Sequence, residues 1–138
     1  MRRWADRAND ELRGAGYRMG PARSAVIDFL AGQDCCLGAQ EIHQRLGGRA
    51  GLASVYRILE TLAERGLVQR VDVGDGIARY EVHGDEHHHH LICDDCGKVE
   101  AFEDERLEAA IREVEARSGY AIAAHDVVLR GACTACRN

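Results

Sequence analysis

Apolar side chains recur at three- and four-residue spacing through the first 65 residues, which predicts a run of short helices. Residues 4–15 read as a polar helix ending near Gly14-Ala15-Gly16. Gly20-Pro21 opens a second helix with proline in its first turn. Its apolar positions are Ala25, Val26, Phe29 and Leu30, and Gly32 closes it. A third, short helix runs from about Ala39 to Leu46, turns Ile42 and Leu46 inward and stops at Gly47-Gly48. A fourth, from about Leu52 to Arg65, lines up Leu52, Val55, Leu59 and Leu62 on one face and stops at Gly66. At Leu67 the period changes to two. Leu67–Val71 and Ile77–Val82 read as strands joined by a hairpin turn at Gly74-Asp75-Gly76.

Short helices followed by a two-stranded hairpin describe a winged helix. In that arrangement the last helix enters the major groove of DNA and the hairpin lies beside the backbone. His83-Gly84-Asp85-Glu86 is a polar break and the expected hinge. Beyond it, His87 to Cys93 reads as a strand and Val99 to Phe102 as its return. Glu103 to Ser118 reads as an amphipathic helix with Leu107, Ala110, Ile111 and Val114 inside, and Ala121 to Arg130 as a last strand. The fold class expected is α+β. A winged helix-turn-helix DNA-binding domain spans 1–82, a hinge 83–86, and a small α/β metal-binding domain 87–138.

Composition narrows the setting. The chain has 138 residues, 46% hydrophobic and 30% charged, as a soluble globular protein does. No apolar run nears the roughly 18 residues of a membrane span, and no apolar core follows the basic start, so the expected location is cytoplasmic. Net charge is −5, which alone argues against nucleic acid. Residues 1–80, however, hold 12 basic against 10 acidic side chains, net +2. Residues 81–138 hold 6 against 13, net −7. The first half can meet a polyanion, and the second suits cations.

The cysteines support a cation site. In a reducing compartment six cysteines point to metal ligation rather than disulfides. Cys93-x-x-Cys96 and Cys133-x-x-Cys136 are two knuckles, each presenting two thiolates, and together they compose a four-cysteine zinc site. A thioredoxin-like redox pair is the alternative, and neither knuckle has the flanking βαβ pattern it needs. The second domain is too small to be stable unaided, and a structural Zn2+ supplies the help. Four histidines, His87-His88-His89-His90, precede the first knuckle. On a strand, His88 and His90 share one face and His87 and His89 the other, so one strand can serve two metal sites.

Two stretches carry a family resemblance. Gly51-Leu52-Ala53-Ser54-Val55-Tyr56-Arg57 resembles the recognition-helix signature of the ferric uptake regulator family. His87-His88-His89-His90-Leu91-Ile92-Cys93-Asp94-Asp95-Cys96-Gly97 resembles that family's metal signature. The resemblance, closest to the zinc uptake regulator branch, runs from about residue 10 to 137. It implies a homodimeric repressor that binds operator DNA when loaded with a divalent metal, with residues 87–138 as the dimerisation domain. Cys93, Cys96, Cys133 and Cys136 match the structural zinc cage. His87, His89, Glu108 and His125 match a second metal site. His88, His90 and Glu81 match the regulatory site between the domains, and Glu81 stands where peroxide-sensing relatives carry Asp.

Where the family places a further regulatory histidine, this chain has Cys36, with Cys35 beside it. A thiolate there favours zinc over iron or manganese, and a small buried core residue is the other reading of Cys36. His83 stands near a cysteine of zinc-sensing relatives and is either a ligand or a plain hinge residue. Gln69 replaces an aspartate those relatives use. For DNA, Tyr56 and Arg57 match direct contacts, Arg donating two hydrogen bonds to a guanine edge. Ser54 bonds a phosphate or caps its helix, Arg18 matches a minor-groove position and Arg23 a backbone contact.

The function expected is therefore a metal-dependent repressor of metal homeostasis genes, with Zn2+ favoured in the regulatory site and Fe2+ or Mn2+ as alternatives. A peroxide-sensing relative and a cytosolic metal buffer or chaperone are the other readings. With no recognisable nucleophile motif, phosphate loop or HExxH, no enzyme is expected.

Overall fold

The computed structural model describes residues 2–82 and 87–138, so the expected hinge at 83–86, His83 included, lies outside the described residues. The chain forms two compact units, Met1–Asp85 and Glu86–Asn138. No helix among the described residues is long and apolar enough to cross a membrane.

In the first unit α1 (Arg2–Gly14), α2 (Pro21–Ala31), α3 (Ala39–Leu46) and α4 (Leu52–Glu64) surround one apolar core. Ile27, Leu30, Ile42, Leu46, Val55, Leu59 and Leu62 are buried there, and truncating one such leucine to alanine costs about 2–5 kcal/mol. Arg65 caps the end of α4 and is followed by Gly66 at φ 71°, a left-handed turn that glycine adopts without strain. The expectation of a polar first helix is corrected. Trp4, Ala5, Ala8 and Leu12 are buried against the core, and Trp4 Nε1 donates to the Leu67 carbonyl at 2.8 Å. Small alanines carry much of that stripe, so it reads as polar in sequence.

The wing is a three-stranded sheet in the order β1 (Leu37–Gly38), β3 (Arg79–Val82), β2 (Val68–Val71), all antiparallel. β1 is an addition to the expected hairpin. Residues 77–78, expected in the second strand, precede it. The turn is held by side chains. Asp72 Oδ1 accepts from the Gly74 N–H at 2.9 Å, and Asp75 Oδ1 from the Ile77 N–H at 3.1 Å. Asp75 also takes the Arg79 guanidinium on both oxygens, at 3.0 and 2.9 Å. Arg79 is 7% exposed, so this pair satisfies a buried charge.

The second unit contains β4 (His89–Cys93), β5 (Val99–Phe102), α5 (Glu105–Ser118) and β6 (Val128–Gly131). β4 is central, antiparallel to β5 and parallel to β6. Asp104 caps α5, accepting from the Arg106 and Leu107 N–H groups. Two expectations are corrected here. α5 buries no residue within the chain: Leu107 and Ile111 are half-buried, Ala110 and Val114 exposed. The last strand begins at Val128, not Ala121, because only residues 128–131 pair with β4. Among the described residues of this unit, His89, His90, Ile92 and Cys93 are buried.

Asp75 yields a test of the wing. Burial pushes its carboxyl up, but the Ile77 N–H and the Arg79 guanidinium outweigh this and hold it below the ordinary carboxylate range. Its stabilisation is thus present above the unfolded-state pKa and lost as pH falls through the lower folded value. Asp75→Ala is expected to cost about 1–2 kcal/mol at neutral pH. Urea unfolding of both proteins should show the gap closing as the buffer is acidified through and below the ordinary carboxylate range.

Candidate metal centres and nucleic-acid interface

The two knuckles lie 36 residues apart in sequence (97–132) and meet because β4 and β6 run parallel. Cys93 at the end of β4 is in register with Gly131 at the end of β6, so both knuckles emerge at one end of the sheet. Gly97, at φ 79°, closes the first. The sulfurs of Cys93, Cys96, Cys133 and Cys136 lie within 4.8 Å of one another, Cys96 and Cys133 at 3.8 Å. Backbone N–H groups of Cys133 and Cys96 point at Cys93 Sγ, at 3.3 and 3.4 Å, and hold its pKa down to about 6. Cys136 is pushed up to about 12, chiefly by its contact with Cys133. Four mutually close sulfurs, one of them with backbone N–H groups favouring its thiolate, are a donor set that suits a structural zinc site.

A second cluster forms on one face of the histidine strand. Nε2 of His87 lies 3.2 Å from Nε2 of His89 and 3.1 Å from Nε2 of His125. Glu108, from α5, contacts His89 Nε2 at 2.6 Å and His125 Nε2 at 2.8 Å. Burial raises the Glu108 carboxyl, and the His89 and His125 contacts outweigh it, leaving it below the ordinary range. Three imidazole nitrogens and a carboxylate aimed at one point suit a divalent cation. One backbone group opposes this use. The Val127 N–H donates to His89 Nδ1 at 3.2 Å, so neutral His89 carries its proton on Nε2, facing Glu108. A metal at Nε2 requires that proton to leave and Nδ1 to become the donor.

The remaining expected ligands fall in both units. His88 and His90 stack edge to face, ring centres 5.0 Å apart. In the first unit, donor atoms of Cys35, Cys36 and Glu81 lie within 4.8 Å of one another. Gln69 Nε2 donates to Glu81 Oε1 at 2.6 Å across the β2–β3 pair, orienting the carboxylate. Cys36 is buried, and its pKa is pushed up by Cys35 first and then by burial. The sequence leaves Cys35 open as ligand or core, and nothing in it points to the Gln69 bond. The adjacency of two cysteines is the visible signal for Cys35.

Arg18, Arg23, Ser54 and Arg57 line one surface hollow of about 350 Å³, together with Gly20, Ala22, Ile58 and Thr61. Arg57 donates to Ser54 Oγ at 3.2 Å. Arg23 donates to the Arg18 carbonyl and packs over the Tyr17 ring at 5.3 Å, while its Nε is buried with no hydrogen-bond partner among the described residues. Three arginines lining one hollow suit an anion such as a phosphate. Tyr56, also on α4, is 42% exposed and lies outside this hollow.

A winged helix with such a face, in one chain with clustered metal donors, is a DNA-binding regulator that answers to metal. The sequence matches the ferric uptake regulator family over residues 14–130, and the chain belongs to that family. It is 36% identical to the ferric uptake regulation protein of Escherichia coli K12 over 129 residues, 91% of this chain and 87% of that protein. It is 33% identical to that of Bacillus subtilis, over 95% of this chain and 93% of that protein. Its fold is similar to that of the Helicobacter pylori ferric uptake regulator, with TM-score 0.86 and 26% identity, covering 98% of this chain and 92% of that one. That structure is described as revealing three functional metal binding sites.

The His89 tautomer can be read directly. Long-range proton–nitrogen NMR of protein holding zinc only at its cysteines should show the Nε2–H form. Zinc at the histidine cluster should convert it to Nδ1–H and speed exchange of the Val127 amide. An Nδ1–H form before loading would contradict the assigned hydrogen bond.

Proposed function

We propose that this protein is a homodimeric, metal-dependent transcriptional repressor of metal homeostasis genes, acting in the cytoplasm, with zinc as the favoured regulatory ion. The observation that carries the reading is the pairing of two chemistries in one chain: an arginine-lined hollow on a winged helix, and a unit whose buried residues are mostly metal donors. Cys93, Cys96, Cys133 and Cys136 are assigned to structural zinc, and His87, His89, Glu108 and His125 to a second ion. Cys36 and Glu81 of the first unit, with His88 and His90 of the second, are assigned to the regulatory ion. An ion taking ligands from both units fixes their orientation. In a dimer it sets two copies of α4 at the spacing of successive major grooves of an inverted-repeat operator.

Self-association is supported by apolar side chains the second unit leaves exposed, Val114 (49%), Tyr120 (70%), Ile122 (39%) and Leu129 (49%). Zinc is supported by the thiol at Cys36, since sulfur donors favour it over iron and manganese. Iron is the second reading, favoured by relatives that carry the name ferric uptake regulation protein. Arg57, Ser54, Arg23 and Arg18 are assigned to phosphates and base edges, and Tyr56 to a separate contact with DNA.

Metal acts only through its differential affinity for the DNA-competent form. At a thousandfold excess over its dissociation constant that linkage reaches about 4 kcal/mol. His90→Ala is expected to remove metal-dependent binding to a duplex selected from a random pool, while light scattering still reports a dimer. Normal metal response in that variant would refute the two-unit site. Arg57→Ala is expected to cost about 1–3 kcal/mol in DNA affinity and to relax sequence preference, with metal content unchanged. Undiminished affinity would remove Arg57 from the interface.

A further inference from the structure

Cys35 and Cys36 immediately precede β1, and their sulfurs are 3.9 Å apart. A tetrahedral ion with metal–sulfur bonds of about 2.3 Å needs two sulfurs roughly 3.8 Å apart. Cys96 and Cys133 in the four-cysteine cluster stand at 3.8 Å. The vicinal pair thus has the same bite as the zinc-type set. It is poorly built for a disulfide, because neighbouring Cα atoms lie about 3.8 Å apart and disulfides usually need about 4.4–6.8 Å.

A third donor is fixed beside the pair by strand pairing. Leu37 is in antiparallel register with Tyr80, so the next step along each strand brings Cys36 toward Glu81. Gln69 occupies Oε1 of Glu81, which orients the carboxylate. The donor atoms of all three residues fall within 4.8 Å of one another, and all three belong to the winged-helix unit.

We propose that Cys35 and Cys36 act together as a dithiolate chelate, with Glu81 as third donor, forming a seat for a thiophilic divalent ion of the zinc and cadmium class. Each thiol releases its proton to solvent as the ion binds. Cys35 is then a specificity-determining ligand: a second sulfur raises the preference for thiophilic ions over Fe2+ and Mn2+ beyond what Cys36 alone supplies. Three donors from this unit leave further coordination open to another ligand. The ion also ties the chain entering α3 to the end of β3, linking the helix-turn-helix to the wing. The regulatory role of this seat rests on the function proposed above; the seat itself does not.

The test uses the full chain with zinc retained at the four cysteines and Co2+ added as probe. Thiolate-to-cobalt charge transfer in the near ultraviolet reports sulfur ligands and is silent for the histidine and glutamate cluster. Wild-type protein is expected to gain a band worth two thiolates, with the retained zinc undiminished by elemental analysis. Cys35→Ser is expected to halve the band and weaken Zn2+ binding about tenfold or more, about 1.4 kcal/mol or more. Mn2+ affinity should stay within about twofold, a shift of about 0.4 kcal/mol. Cys35 is only half-buried, so this variant tests the idea even if Cys36→Ser fails to fold. No new band in wild type, or an unchanged band and Zn2+ affinity in Cys35→Ser, would overturn the seat. A DNA shift on the same samples separates the two ideas. Metal-dependent DNA binding without the band keeps the repressor and removes the dithiolate. The band with metal-indifferent DNA binding keeps the dithiolate and removes the repressor.

Discussion

The second unit lacks an apolar interior, and its architecture follows from that. Among its described residues only His89, His90, Ile92 and Cys93 are buried, and α5 buries nothing. A side chain the size of Ile92 contributes about 2–3 kcal/mol on burial, far below the entropy cost of ordering a fold of this size. Its central pairing is also expensive, because β4 and β6 are parallel and need a long crossover through β5 and α5. Donor groups occupy the places a core would fill. A structural zinc contributes about 10–16 kcal/mol in small domains, enough to change the sign of this balance. The four cysteines clasp the two parallel strands at the end where their register brings them together.

β4 is where this constraint and the proposed function meet. It is paired on both sides, so its register is fixed twice, by Ile92 against Val99 and by Ile92 against Arg130. Because side chains alternate along a strand, that register also decides which histidines face Glu108 and which face away. A slip of one residue would exchange His87 and His89 for His88 and His90. The donor geometry is therefore inherited from backbone hydrogen bonds rather than from apolar packing. The first unit works the other way, with α1 to α4 closing on leucine, isoleucine and valine, and its arginine hollow resting on that rigid base.

What could be read from the sequence divides along the same line. α2, α3 and α4 were legible because branched apolar residues recur at helical spacing and glycines mark their ends. α1 was half legible, since its inward face is built from Trp4, Leu12 and two alanines that no hydrophobic scale weights strongly. β1 was not legible at all. Two residues carry no period, and Leu37–Gly38 is a strand only because β3 passes beside it. The inward face assigned to α5 failed for a related reason: its apolar residues meet too little of this chain to be covered. The cysteine and histidine groups were legible because their spacing is local. Cys35 with Glu81 was not, because that neighbourhood exists only through the pairing of β1 with β3.

The donor sets differ in what each gives up to take an ion, and that difference sorts the sites more strongly than the ion's intrinsic preference, which runs in one order for almost any ligand. Cys93 has backbone N–H groups favouring its thiolate, while Cys136 in the same cluster is pushed up by its contact with Cys133, so that cluster gives up little at one sulfur and a bound proton at another. Cys36 is held protonated by its neighbour and by burial, so an ion there must supply the energy to expel that proton, which a thiophilic ion does better than a hard one. His89 must exchange its tautomer against the Val127 N–H before its Nε2 can bind. A chain with three clusters need not respond to metal three times over. Every cluster carries some proton-linked cost; four sulfurs joining two parallel strands suit a clasp, and in the function proposed above the other two clusters are the ones whose occupancy follows the supply of metal.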